Sequence, residues 1–190
     1  MSPDTKTGEE ASADVPWMEV TFTGGSSRLG SLELRLSTAE MRVKSDHGSV
    51  EVEDPGVIGV GRGLRCWVNT ATGVLLVAAQ LSESLYVVDL PAQRVREVDV
   101  LLRDDFEDLR FLGMHPADDG SLLVLYERGL VCIDPGGNAR WHRLHDDLSA
   151  RLLMAADGVV LIETQWPLSE AGRRTSYRLS DGEELPSTGN

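Results

Sequence analysis

Apolar runs along this chain are short, and glycine, proline, aspartate or serine interrupts them. Gly30 opens SLELRLS, Gly73 opens VLLVAAQ, Gly120 opens SLLVLYE and Gly158 opens VVLIETQ. A second strand-like piece follows each: MRVKS, LYVVDL, LVCIDP and SYRLSDG. The apolar positions that align there, Val43, Val88, Ile133 and Leu179, lie 45, 45 and 46 residues apart. A turn comes next, at Asp46-His47-Gly48, Pro91-Ala92, Pro135-Gly136-Gly137 and Asp181-Gly182, followed by a more polar strand. One further apolar piece precedes each opening glycine: WMEVTF, LRCWVN, LRFLGM and RLLMAA. A fixed period of this size, built from short strand-forming runs, predicts a repeat architecture with four strands to the repeat. No segment sustains a 3.6-residue period; DDFEDLRFL comes nearest and is too short.

The runs differ in one respect. VLLVAA, SLLVLY and VVLI are almost continuously apolar, the pattern of strands covered on both faces. LELRL alternates, with Glu33 and Arg35 on one face and Leu32, Leu34 and Leu36 on the other. One face of the first sheet is therefore expected in water. Four sheets barely close a ring, so an open arc, or a ring completed by a second copy through the first repeat, is the expected outcome.

The pieces LYVVDLPAQRV and LVCIDPGGNARW resemble the third-strand, turn and fourth-strand segment of pyrroloquinoline-quinone-type and related β-propeller repeats. That resemblance spans roughly Trp17 to Leu185 and implies an all-β fold of four four-stranded antiparallel repeats, each about 45 residues long. It carries no Trp-Asp signature, Tyr-Trp-Thr-Asp box or Kelch double glycine, so it implies no site residues. A β-sandwich is the alternative; it explains short strands and turns but not the register.

With 190 residues and 41% hydrophobic content, one domain over residues 16–185 suffices, preceded by an acidic tail at 1–15 and followed by a short end at 186–190. The formal charge of −13 argues against nucleic-acid binding, which needs a positive footprint, and suits solubility or a basic partner. No apolar run approaches a membrane helix, and the N-terminus lacks a signal-peptide pattern. Cys66 and Cys132 sit inside apolar runs, which predicts buried free thiols and a cytoplasmic address. Leu185–Gly189 spells the LPxTG pattern of sortase substrates without the apolar tail that follows it there; it is read as chance or as an appended scar.

Candidate chemistry is sparse. In propeller geometry the loops after the second and fourth strands share one face, which here collects Asp54, Asp104, Asp105, Glu107, Asp108, Asp146 and Asp147. The fourth repeat adds an insertion, TQWPLSEAGRRT, bringing Trp166, Arg173 and Arg174 to that face, with Trp166 as the contact anchor. His142 and His145 form an HxxH on a strand, where residues three apart point to opposite faces, so no metal site is expected. PGVIGVGRG lacks the order of a nucleotide fingerprint, and Cys132 reads as an inert thiol. The expected function is a non-enzymatic module that holds a protein partner, basic in character, on its acidic, Trp-bearing loop face, with no cofactor or metal. The alternative is a small-molecule-binding or hydrolytic propeller with its site at the central channel.

Overall fold

The fold comes from a computed structural model and is described for residues 16–20, 26–29, 32–36, 40–46, 48–53, 65–78, 85–98, 111–145, 149–165 and 172–186. These residues form strands and turns throughout, in four antiparallel sheets. The first sheet holds β2 (Ser26–Leu29), β3 (Leu32–Leu36), β4 (Glu40–Ser45) and β5 (Gly48–Glu53). The second runs β1 (Trp17–Val20), β6 (Arg65–Asn69), β7 (Val74–Ala78), β8 (Leu85–Asp89) and β9 (Arg94–Glu97). The third is β10 (Phe111–Pro116), β11 (Leu122–Tyr126), β12 (Gly129–Ile133) and β13 (Ala139–Leu144). The fourth is β14 (Ser149–Ala156), β15 (Val159–Gln165), β16 (Arg173–Arg178) and β17 (Glu184–Leu185).

One strand assignment from the sequence is corrected. WMEVTF was expected as the first strand of the first repeat, but β1 pairs with β6, from Trp17 opposite Asn69 to Val20 opposite Cys66. SSRL takes the vacant place as β2, opposite β3. The physical reason lies in the apolar faces. Trp17 and Val20 are both buried, Trp17 with the second and third sheets and Val20 with the first and second. SSRL has no aromatic residue to fill that place.

Three buried clusters hold the sheets together in chain order. One joins the first and second sheets through Val43, Val50, Leu75, Val77 and Val88. Another joins the second and third through Leu76, Val87, Val124, Tyr126 and Ile133. The last joins the third and fourth through Leu123, Leu125, Trp141, Ile162 and Tyr177. Among the described residues no buried cluster joins the fourth sheet to the first. Covered on both sides, β7 and β11 are buried at every position, as their unbroken apolar sequence requires.

Val43, Val88, Ile133 and Leu179 are all buried, the first three on third strands and Leu179 just after one. Their directions differ, however. Val43 faces the following sheet, whereas Val88, Ile133 and Leu179 face the preceding one. In the first repeat, pairing is thus offset by one residue relative to the others, which sends alternate side chains to the opposite face. The exchange suits the composition: Arg35, Arg42, Lys44 and Glu51 occupy the outward face and are exposed or ion-paired in water.

The turn between third and fourth strands repeats a backbone feature. Gly137 (φ 79°) and Gly182 (φ 70°) occupy it in the third and fourth sheets, and Gln93 (φ 51°) takes the same left-handed place in the second. Gly182 must be glycine for a second reason: a Cβ there would stand 2.6 Å from the Trp141 indole. These turns also stitch neighbouring sheets. Thr72 Oγ1 donates to the Pro135 carbonyl at 2.7 Å, Trp141 Nε1 to Leu179 at 2.7 Å, and Arg143 Nε to Gly182 at 2.6 Å. Arg96 donates to the Gly137 carbonyl and to Asn138 Oδ1.

Candidate interaction surface

Only one face of the fourth sheet has a sheet stacked on it. Along β15 the burial alternates: Val160, Ile162 and Thr164 are buried towards the third sheet, while Val159, Leu161 and Glu163 are partly exposed. VVLI was expected to be covered on both faces, and this expectation is corrected. Its unbroken apolar sequence hides the alternation that becomes visible only at Glu163 and Gln165.

Register places the rest of the outer face. Met154, Leu161, Ser176 and Leu185 lie in one row across the strands, flanked by Ala156, Val159 and Arg178 on one side and Arg151, Glu163 and Arg174 on the other. A bulge between Leu152 and Met154 resets β14, so Leu152 packs inward while Met154 points out, 42% exposed. The result is an apolar stripe of Met154, Leu161, Val159 and Leu185 between two charged groups. In one group Glu163 takes two arginines: Arg151 at 2.5 Å and Arg174 at 3.1 Å. In the other Arg178 takes two carboxylates: Asp181 at 2.9 Å and Glu183 at 2.5 Å.

The predicted contact residues divide sharply. Asp54, Asp104, Asp105, Glu107, Asp108, Asp146, Asp147 and Trp166 lie outside the described residues. Arg173 and Arg174 are described, and they are strand residues rather than loop residues: β16 begins at Arg173. Hydrogen bonding across β15 extends that strand, with Arg173 opposite Thr164 and Arg174 opposite Glu163. Arg174 is bound to Glu163, and Arg173 approaches Glu184 at 3.9 Å. The sequence reading overlooked Met154, Leu161 and Glu163; the signal available was the lone carboxylate inside VVLIETQ.

The groups with shifted acidity are occupied by structure. At Asp119 burial pushes the carboxyl up, but hydrogen bonds from Ser121 and Arg140 outweigh it and hold the group low. Glu163 is held low by Arg174 and Arg151, and Asp181 by the Glu183 N–H and Arg178. Burial pushes the Cys66 thiol far up and the Cys132 thiol up to about 11, so both stay protonated and unreactive. The Tyr126 hydroxyl, itself pushed up by burial, hydrogen-bonds His142 Nε2, and burial followed by the Arg143 charge lowers the His142 ring. His115 is lowered by burial and by Arg65. His115 and His142 stand on β10 and β13, the opposite edges of the third sheet, and do not converge. Among the described residues no group of His, Cys, Asp and Glu side chains is arranged to hold a metal, and no helix is long and apolar enough to cross a membrane.

One open cleft of about 410 Å³ lies where the third and fourth sheets meet, lined by Asp118, Asp119, Gly158, Arg178, Leu179 and Ser180. Asp118 Oδ2 accepts the Asp157 N–H across it at 2.9 Å. No family model matches the chain, and no curated protein matches it. Among solved structures it is similar to one described as "AfRom2 CNH domain", at 14% identity and a TM-score of 0.33, covering 85% of this chain and 70% of that one.

Proposed function

We propose that this chain is a non-enzymatic interaction scaffold: a propeller-like arc of four sheets that holds a protein partner. The observation that carries the reading is the commitment of its reactive groups. Asp119, Glu163 and Asp181 are held ionised by their partners, whereas acid–base catalysis needs a pair of groups pushed apart in acidity within one site. Support for the arc comes from sheets packed in chain order and from left-handed turn residues recurring at Gln93, Gly137 and Gly182. The acidic loops with Trp166 remain the proposed contact surface for a basic partner, and the free thiols support a cytoplasmic setting. Affinity capture with the intact protein tests this when wild type is run beside Trp166→Ala and beside a variant neutralised at Asp104, Asp105, Asp146 and Asp147. A basic protein retained by wild type and lost from both variants supports the reading; a partner held equally by all three overturns the loop assignment.

The cleft at Asp118, Asp119 and Arg178 favours a second reading, a small polar ligand bound between the third and fourth sheets. A screen of charged metabolites by thermal shift addresses it: a rise in Tm abolished by Arg178→Ala would favour a ligand site.

A further inference from the structure

We infer that the outer face of the fourth sheet is a self-association surface, and that its occupant is the same face of a second copy of this chain. Every other described apolar sheet face in the molecule is covered by a neighbouring sheet. Here Met154, Leu161, Val159 and Leu185 are left in a continuous stripe with no sheet above them.

Charge selects the partner. The group at one end of the stripe has two arginines on one carboxylate and carries an excess positive charge; the group at the other end has two carboxylates on one arginine and carries an excess negative charge. Two copies related by a twofold axis lying in the interface, perpendicular to the strands, place each group opposite its counterpart. Met154 and Leu161 of one copy then meet those of the other at the centre. A twofold axis along the strands would set like groups together and is disfavoured by the same charges. The first sheet is a poorer occupant, because its outer face presents Glu33, Arg35, Arg42, Lys44 and Glu51 rather than an apolar stripe.

Size sets the strength. A four-stranded sheet face of this length covers roughly 450 Å² per partner at standard strand spacing and rise, which belongs to weak, reversible interfaces. The association is therefore concentration-dependent.

Sedimentation velocity of the full chain from about 1 to 200 µM tests the proposal, this range bracketing the affinity expected of so small an interface. The expected result is a monomer–dimer equilibrium. Met154→Lys, at an exposed position, weakens it at least about tenfold, the loss expected for a central anchor, while leaving Tm unchanged. Arg174→Glu weakens the dimer too, and Glu183→Arg added to the same chain restores it, because the twofold axis brings these two sites together. The inference is overturned by a chain that stays monomeric throughout the range. A dimer indifferent to Met154→Lys overturns it as well, as does one lost only on reversing Arg35 and Arg42 of the first sheet.

Discussion

Trp17 donates its indole N–H to the carbonyl of Gly120 at 2.8 Å, a link spanning 103 positions of sequence. It ties the N-terminal strand, already paired with β6, to the turn between β10 and β11 in the next sheet. The adjoining Pro16 carbonyl accepts the Thr70 N–H at 2.9 Å and its hydroxyl at 3.2 Å. This strand closes the edge of the second sheet and joins two sheets at once, so it acts as a clasp rather than as part of a tail.

Trp17→Ala is therefore expected to lower unfolding stability by about 3–5 kcal/mol, the usual cost of emptying a large aromatic site. Deleting residues 1–15 leaves the denaturant midpoint nearly unchanged, whereas deletion through Val20 exposes the β6 edge and lowers it steeply. Urea unfolding of the three variants measures the contrast; equal losses for both deletions would place stabilising contacts within residues 1–15.

The left-handed turns give a graded test. Gly182→Ala combines a φ of 70° with a Cβ 2.6 Å from Trp141, and should cost about 2–4 kcal/mol from strain and overpacking together. Gly158→Ala has a similar φ of 73° but meets nothing within 4 Å, so only the conformational cost of about 1–2 kcal/mol applies. Gln93→Gly relieves strain and is expected to be neutral or slightly stabilising. Thermal denaturation should rank the three in that order.

Acid weakens the fold through its histidines. Burial, then Arg143 for His142 and Arg65 for His115, lowers both folded-state values, so the folded protein binds fewer protons than the unfolded chain. Their contribution is complete above the unfolded value of about 6.5 and is lost as pH falls below it towards the folded values. The Tyr126 hydroxyl depends on the neutral His142 ring as its acceptor. The urea midpoint should fall between pH 7 and 5.5, before most carboxylates titrate, and His115→Gln with His142→Gln should flatten that slope. A midpoint that rises over this interval contradicts the assignment.

Much of the fold was legible because packing demands leave a direct trace in composition. VLLVA and LLVLY are unbroken apolar runs, and their strands are buried on both faces. LELRL alternates, and Glu33 and Arg35 are on the outward side. The same rule misread VVLI, since a continuous run permits two covered faces without requiring them. The place of Trp17 was illegible for a different reason: local spacing cannot tell which sheet edge an N-terminal strand will join. Of the candidate site, composition gave the arginines of β16 but not their strand, because the ladder with β15 that orders them is a long-range feature.

The account rests on a fourth sheet covered on one side and open on the other, and two adjacent residues of β15 test it most directly. Ile162 is 1% exposed and packs against the third sheet, while Leu161 points to the open face. Urea unfolding of Ile162→Ala and Leu161→Ala, at protein concentrations too low for self-association, compares the two faces within one strand. A loss of about 2–5 kcal/mol for Ile162→Ala against less than about 1 kcal/mol for Leu161→Ala is predicted. Equal, large losses would mean that a further layer covers the outer face, and would contradict an open-ended stack of four sheets.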